Sequence, residues 1–334
     1  MYKLSLIVLF AFLWSCLSEP ADQLETSLLE VPQGFPQPVF PEDNEFTPEK
    51  WALGKRLFFD NILSSDNTVS CASCHLPQLA FSDARPVSEG VEHRAGTRNA
   101  PSLANVAYHP YFMREGGVAT LEMQILVPIQ EHAEFDFNIL RIADRMKEDP
   151  SYVQESMDAY GREPDAFVIT RAISCFERTI LSGESDYDAF VNGDLHAMNA
   201  SAKQGMNLFF SDRLACSQCH QGFNFSNYAF ENNGLYDDYT DPGRFRLTEL
   251  ESDRALFKVP SLRNVSITAP YMHDGSIGTL EEVIEHYNSG GRAHPHKSAL
   301  IKPLQLTAIE KQDLLAFLKS LTDERFLSNP KFYQ

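Results

Sequence analysis

The 334 residues carry 28 Lys+Arg against 46 Asp+Glu, a formal charge of −18 at pH 7. A balance this acidic excludes nucleic acid as a partner, since phosphates need a basic surface; it keeps the chain soluble and suits a basic protein partner such as a small cationic cytochrome. With 43% hydrophobic and 22% charged residues, the chain can bury real cores and is not disordered by composition, and its length suits two ordinary domains.

In chain order, Lys3 precedes an apolar run, Leu4 to Leu13, which ends abruptly at Trp14-Ser15-Cys16. A short run behind a cation reads as a secretory signal, too short to span a bilayer. Leu13-Trp-Ser-Cys16 has the form of a lipoprotein box, with Trp14 bulky for it; residues 1–16 are read as a signal peptide of lipoprotein type, and Cys16 as an acylated membrane anchor. Residues 17–47, rich in Pro and Glu, read as an extended tether. Pro48 at a first helical turn leads into Trp51, Leu53, Leu57 and Phe58. An apolar helical stripe runs from Phe167 to Leu181 and holds Cys175 as a small buried hydrophobe. Capping boxes at Thr279-Leu-Glu-Glu282 and Thr307-Ala-Ile-Glu310 open two further helices.

Of six cysteines, four form two copies of one pattern: Cys71-Ala-Ser-Cys74-His75 and Cys216-Ser-Gln-Cys219-His220. C-x-x-C-H is the attachment signature of c-type haem. Two thiols one turn apart reach the two vinyl groups on one porphyrin edge, and the adjacent imidazole projects under the ring to ligate iron. A four-cysteine zinc site would require the distant pairs to meet and would not require either His. A redox dithiol explains one pair and neither His. Haem is the reading that uses every residue of both motifs.

The motifs sit in a longer duplication. Gly54-Lys-Arg-Leu-Phe-Phe59 answers Gly205-Met-Asn-Leu-Phe-Phe210, and Ala100-Pro-Ser-Leu-Ala-Asn-Val106 answers Val259-Pro-Ser-Leu-Arg-Asn-Val265. The segments ending at Gly116 and Gly275 are each followed by Thr-Leu-Glu. Few segments alternate with period two. The expected fold is therefore mainly α: two tandem cytochrome c-like haem domains with long loops, over 48–195 and 196–334.

These features resemble the bacterial di-haem cytochrome c peroxidases and their relative MauG, from about Pro48 to Leu321. Both haem motifs, Arg98-Asn-Ala-Pro101, Thr268-Ala-Pro-Tyr271 and Gln124-Ile-Leu-Val-Pro128 through Glu134 carry the resemblance. It implies a periplasmic enzyme that reduces hydrogen peroxide with electrons from a small cytochrome or similar donor, often as a homodimer. The N-terminal haem, on His75, would bind peroxide, and the C-terminal haem, on His220, would handle electrons. Gln124, Pro128 and Glu134 would stand over the peroxide, with Glu134 moving a proton between the oxygens. A calcium ion between the haems would be held by Asn99 and the carbonyls of Thr268 and Pro270.

The chain departs from the family pattern at three places. Tyr287 stands where the peroxidases place a Met ligand to the second haem and MauG a Tyr; neighbouring His286 and Met272 are alternative ligands. A phenolate favours ferric iron, where a thioether favours ferrous. Arg114 stands where the family has a Trp between the haems; it removes a hole carrier, leaving a direct haem–haem route or another aromatic, such as Tyr111 or Phe112, to serve, and it would suit pairing with a haem propionate. His93 lies near a position that carries a reversible ligand in some relatives, at shorter spacing, and is expected to be an ordinary loop residue. The runner-up activity is a MauG-like oxidase that holds two oxidising equivalents across both haems and modifies a protein partner. A closed electron carrier is a third reading, against which Gln124 and Glu134 stand.

Overall fold

The structure, a computed structural model, describes residues 28–334. Residues 1–27, which include the expected signal segment, Cys16 and the start of the expected tether, lie outside the described residues. Eight α-helices of six residues or more run through the described chain: α1 (Pro48–Phe59), α2 (Ile139–Glu148), α3 (Pro150–Tyr160), α4 (Ala166–Glu177), α5 (Asp186–Val191), α6 (Ala200–Phe209), α7 (Leu280–Ser289) and α8 (Ala308–Lys319). Among the described residues, strand structure amounts to one antiparallel pair, Phe230–Glu231 with Lys258–Phe257, and isolated bridges. The mainly α class is as expected.

The helix starts follow from local chemistry. Thr47 caps α1 by accepting from Lys50 N, with Pro48 at its first position. Full capping boxes open α7 at Thr279/Glu282 and α8 at Thr307/Glu310, each satisfying two otherwise orphaned amides. The stripe from Phe167 becomes α4, and Cys175 is fully buried in it.

Buried side chains gather in two clusters. The first joins Leu53, Leu57 and Phe58 of α1 to Ile169, Ile173 and Phe176 of α4. The second joins Phe209 of α6, Ile284 of α7, and Leu314 and Phe317 of α8. The crossings match. Phe58 lies 5.2 Å from Phe176 between ring centroids, and Phe209 lies 5.0 Å from Phe317. At each crossing a glycine lets backbones touch: a Cβ on Gly54 would fall 1.9 Å from Ala172 O, and one on Gly205 would fall 1.9 Å from Asp313 O. The end of the chain does not stay with the second cluster, because Phe326 and Phe332 pack into the first.

The repeated Pro-Ser-Leu-x-Asn segments tie the halves together. Asn105 and Asn264 are fully buried and left-handed, with φ 62° and 58°. Asn105 Nδ2 donates to Ser182 O (2.7 Å) and to Asn224 Oδ1 (3.1 Å), while Asn264 Nδ2 donates to Ser182 Oγ (2.9 Å). Both repeats therefore converge on the chain just beyond α4. Among the described residues, no helix is long and apolar enough to cross a membrane.

Candidate active site

Each haem motif is a tight 3-10 turn. The amides of Cys74 and His75 both donate to Cys71 O (3.2 and 2.9 Å), and those of Cys219 and His220 repeat this on Cys216 O at the same distances. The turn holds two thiols a turn apart with the imidazole next in line. Cys71, Cys74, Cys216 and Cys219 are all free rather than paired as disulfides. Burial pushes the Cys74 thiol up to about 11 and that of Cys216 to about 12, so both are neutral thiols.

The histidines are oriented alike. His75 Nδ1 donates to Phe81 O at 2.8 Å, and His220 Nδ1 donates to Phe225 O at 3.0 Å. A carbonyl only accepts, so the proton sits on Nδ1 and the lone pair is left on Nε2, the arrangement that makes a ring nitrogen a metal ligand. Burial lowers the pKa of both rings, against the pull of two carbonyls on each: Phe81 and Pro101 on His75, Phe225 and Pro260 on His220. Phe81 and Phe225 are buried, with φ of 58° and 50°. That left-handed backbone turns each carbonyl toward its ring. Their role was not read from the sequence; the signal was a Phe six and five residues beyond the paired histidines. Among the described residues no three His, Cys, Asp or Glu come together to hold a metal ion, so the cysteine pairs do not meet as a zinc site. Free thiol pairs with an oriented imidazole fit covalent haem at both motifs.

Gln124, Pro128 and Glu134 lie on one compact segment. Gln124 ends the short helix Leu121–Gln124, and Pro128 lies in the next, Leu126–Gln130. The chain then folds back, with Phe135 N donating to Pro128 O (3.2 Å) and Glu134 N to Glu131 O (3.0 Å). Val91 N donates to Glu134 O (2.9 Å). Gly90 lets the loops approach, since a Cβ there would fall 2.4 Å from that same carbonyl. Glu134 is near enough to the first motif to raise the pKa of both Cys71 and Cys74 by its charge. It is exposed by surface area yet crowded by protein, as a side chain at the rim of a recess is. The crowding sets the direction: desolvation, then the Glu131 charge, push its carboxyl up to about 7.

Near the second motif, three residues meet Asn233, which sequence reasoning missed. His286 Nε2 donates to Asn233 O (3.0 Å), Asn233 Nδ2 donates to Met272 Sδ (3.2 Å), and the Asn233 side chain lies near enough to the Tyr287 phenol to lower its pKa. The Nε2 of His286 is thus spent on backbone. Tyr287 is surrounded by protein; desolvation raises its pKa, the Asn233 side chain lowers it, and its coupling to Cys216 and Cys219 brings the phenol near the second attachment pair. His93 is 93% exposed and faces Glu89.

A charged seam joins segments of the two halves. Arg114 donates through Nε and Nη2 to Asn99 O (3.1 and 2.7 Å) and through Nη2 to Asn99 Oδ1 (3.0 Å). Asn99 N donates to His273 O (2.9 Å), which brings the segment after Thr268 and Pro270 against Asn99. Arg98 forks onto Asp241 (2.6 and 2.9 Å) and also reaches Glu115, which is 2% exposed. Burial, and then the Arg98 charge, lower the Arg114 pKa to about 10 against Asp274, Asp241 and Glu115.

Two thiol pairs, each with an imidazole presenting Nε2, on a duplicated helical frame, define a di-haem c-type protein. A family model described as di-haem cytochrome c peroxidase matches residues 48–196. The chain is 36% identical over 308 residues to methylamine utilization protein MauG of Methylorubrum extorquens, covering 91% of this chain and 87% of the relative. It is 35% identical over 323 residues to cytochrome-c peroxidase IdrP1 of Pseudomonas sp., covering 86% and 84%. The crystal structure of a MauG-like protein associated with microbial copper homeostasis superposes with a TM-score of 0.86 at 36% identity, covering 91% of this chain and 98% of that one. The chain belongs to the di-haem cytochrome c peroxidase family.

Proposed function

We propose that this protein is an exported di-haem peroxidase that reduces hydrogen peroxide to water with electrons from a small cytochrome or similar donor. The reaction takes two electrons and two protons per peroxide and yields two waters. Cys71, Cys74 and His75, and Cys216, Cys219 and His220, would each hold a haem, which would supply the iron chemistry for electron transfer and peroxide reduction. The chain's own residues manage the protons. Glu134 carries the reading: a carboxyl tuned to about 7 beside the first motif takes a proton from one peroxide oxygen and returns it to the departing oxygen, which leaves as water. Gln124 orients the peroxide, and Pro128, without an amide hydrogen, keeps that side compact. The haem units are read as 48–195 and 196–334, a division the two buried clusters support, with the chain end from Phe326 packed against the first. Periplasmic export, and anchoring through acylated Cys16, complete the reading.

Tyr287 supports a second activity. As a phenol against the second attachment pair, it would ligate that haem in place of Met272 and favour the ferric state. This suits a MauG-like oxidation of a protein partner.

Stopped-flow absorbance of the haem-loaded protein mixed with peroxide, with and without a reduced small cytochrome, separates the two. Repeated rapid oxidation of the cytochrome is expected for the peroxidase; a long-lived oxidised protein with poor turnover would move the assignment to the second reading. Glu134→Gln should keep both haems and slow peroxide cleavage by about 10²–10⁴-fold. A base works as carboxylate, so the wild-type rate should fall as pH drops through about 7, and the variant should lack that limb. Unchanged turnover in Glu134→Gln would remove it from the mechanism.

A further inference from the structure

The family resemblance places a calcium ion between the haems on Asn99, Thr268 and Pro270, but the side chain that should lead the coordination is already engaged. Asn99 is 6% exposed, and each of its four polar groups has a partner in the protein. Its N–H donates to His273 O (2.9 Å) and its Nδ2 to Arg85 O (3.1 Å), which fixes the amide with Oδ1 facing Arg114. Its carbonyl and Oδ1 both accept from the Arg114 guanidinium, at 2.7–3.1 Å. Calcium needs six to eight oxygens at 2.3–2.6 Å, and here two oxygens of one residue are held by a cation of the chain itself.

The surroundings disfavour a second cation. Arg98 is close enough to lower the Arg114 pKa by its charge, so a divalent ion at Asn99 would meet two guanidiniums. The acids that could offset it are committed elsewhere. Asp241 is forked by Arg98, Glu115 is bridged by Arg98 and Arg246, and Asp274 accepts from Tyr236 (2.6 Å). Guanidinium is planar, permanently charged in ordinary buffers and carries five donors in a fixed fork. It can hold the backbone carbonyl and the amide oxygen of Asn99 in one orientation, the two oxygens that residue could offer an ion.

We infer that the Arg114 guanidinium replaces the inter-haem calcium ion in this protein, occupying both oxygens of Asn99 while the Asn99 N–H holds the segment that follows Pro270 through His273 O. The same substitution that removes the family's Trp from between the haems thereby also removes the need for a metal. This rests on the two-haem reading, which a pyridine haemochromogen assay checks separately: fewer than two haems per chain would count against that reading alone.

The test uses full-length, haem-loaded protein. Wild type desalted from EGTA should carry substoichiometric calcium by plasma mass spectrometry. Its haem spectra, melting temperature and peroxide turnover should be the same in EGTA and in millimolar calcium. Arg114→Gln should melt lower and alter the haem spectra in EGTA, with calcium restoring part of the loss, while Arg114→Lys, which keeps a cation, should stay nearer wild type. One calcium per wild-type chain, or wild-type spectra that collapse in EGTA and recover with calcium, would overturn the inference. So would an Arg114→Gln protein that folds and matches wild type in EGTA. If Arg114→Gln does not fold, the wild-type calcium content and EGTA response decide alone.

Discussion

Two carboxyls at neighbouring levels of one core show how partners decide charge. Glu122 is buried, but Arg178 grips it at 2.6 and 3.1 Å and Ser174 donates to it, so those donors outweigh burial and hold its pKa below the ordinary value. Glu177, at the end of α4 and 4% exposed, has no hydrogen-bond partner for Oε2. Burial dominates there; Arg178 opposes it, Glu122 adds to it, and the carboxyl rises to about 8. With the folded pKa above the unfolded one, the native state binds more protons, and stability is lost as pH rises from about 4.5 through about 8. At about 1.4 kcal/mol per unit, the loss is about 5 kcal/mol at most. Glu177→Gln should therefore melt close to wild type at pH 5 and above it at pH 9. Thermal melts across that range check this, and parallel curves for the two proteins would show that Glu177 does not carry the dependence.

At the scale of elements, the two helix crossings make the sharpest demand on sequence. Gly54 and Gly205 open the repeated hexapeptides, and each faces a backbone carbonyl of the crossing helix with no room for a methyl group. Gly205→Ala should push α6 off α8 and cost about 1–3 kcal/mol, although alanine favours an isolated helix; a rise in melting temperature would refute the crossing geometry. Much of this level was legible in the sequence. Pro48, the capping boxes, the haem turns and the Gly-x-x-Leu-Phe-Phe repeat are local signals, and local chemistry produces those elements. What stayed hidden depends on backbone torsion or on distant pairing. The left-handed Phe81 and Phe225 that aim the histidines carry no glycine to mark them. Asn233 gathers Tyr287, Met272 and His286 only through folding, and the grip of Arg114 on Asn99 joins positions fifteen apart in loops without periodicity.

For the whole molecule, the chain's end belongs to its beginning. Asp323 Oδ2 accepts from Ser182 Oγ, Gly183 N and Glu184 N (3.1, 2.9 and 2.9 Å), and Asp323 N donates to Asn264 Oδ1 (2.8 Å). This clamp steers the last residues onto the first cluster. There Phe332 lies 5.6 Å and Phe326 6.0 Å from Phe81 between ring centroids, and Phe81 O is the acceptor that orients His75. The terminal aromatic rings thus buttress the first histidine, and residues 48–195 alone lack part of the core they need. Phe332→Ala removes a fully enclosed ring and should cost about 3–5 kcal/mol. Its selectivity matters more than its size. His220 is oriented by Phe225, which packs against Phe209 and Phe317 and not against the chain end. Electron paramagnetic resonance of the haem-loaded variant should therefore show a broadened or shifted first-haem signal beside an unaltered second one. Equal disturbance of both signals would mean that Phe332 acts through global stability, and no change in the first would mean that the Phe81 carbonyl holds His75 without the buttress.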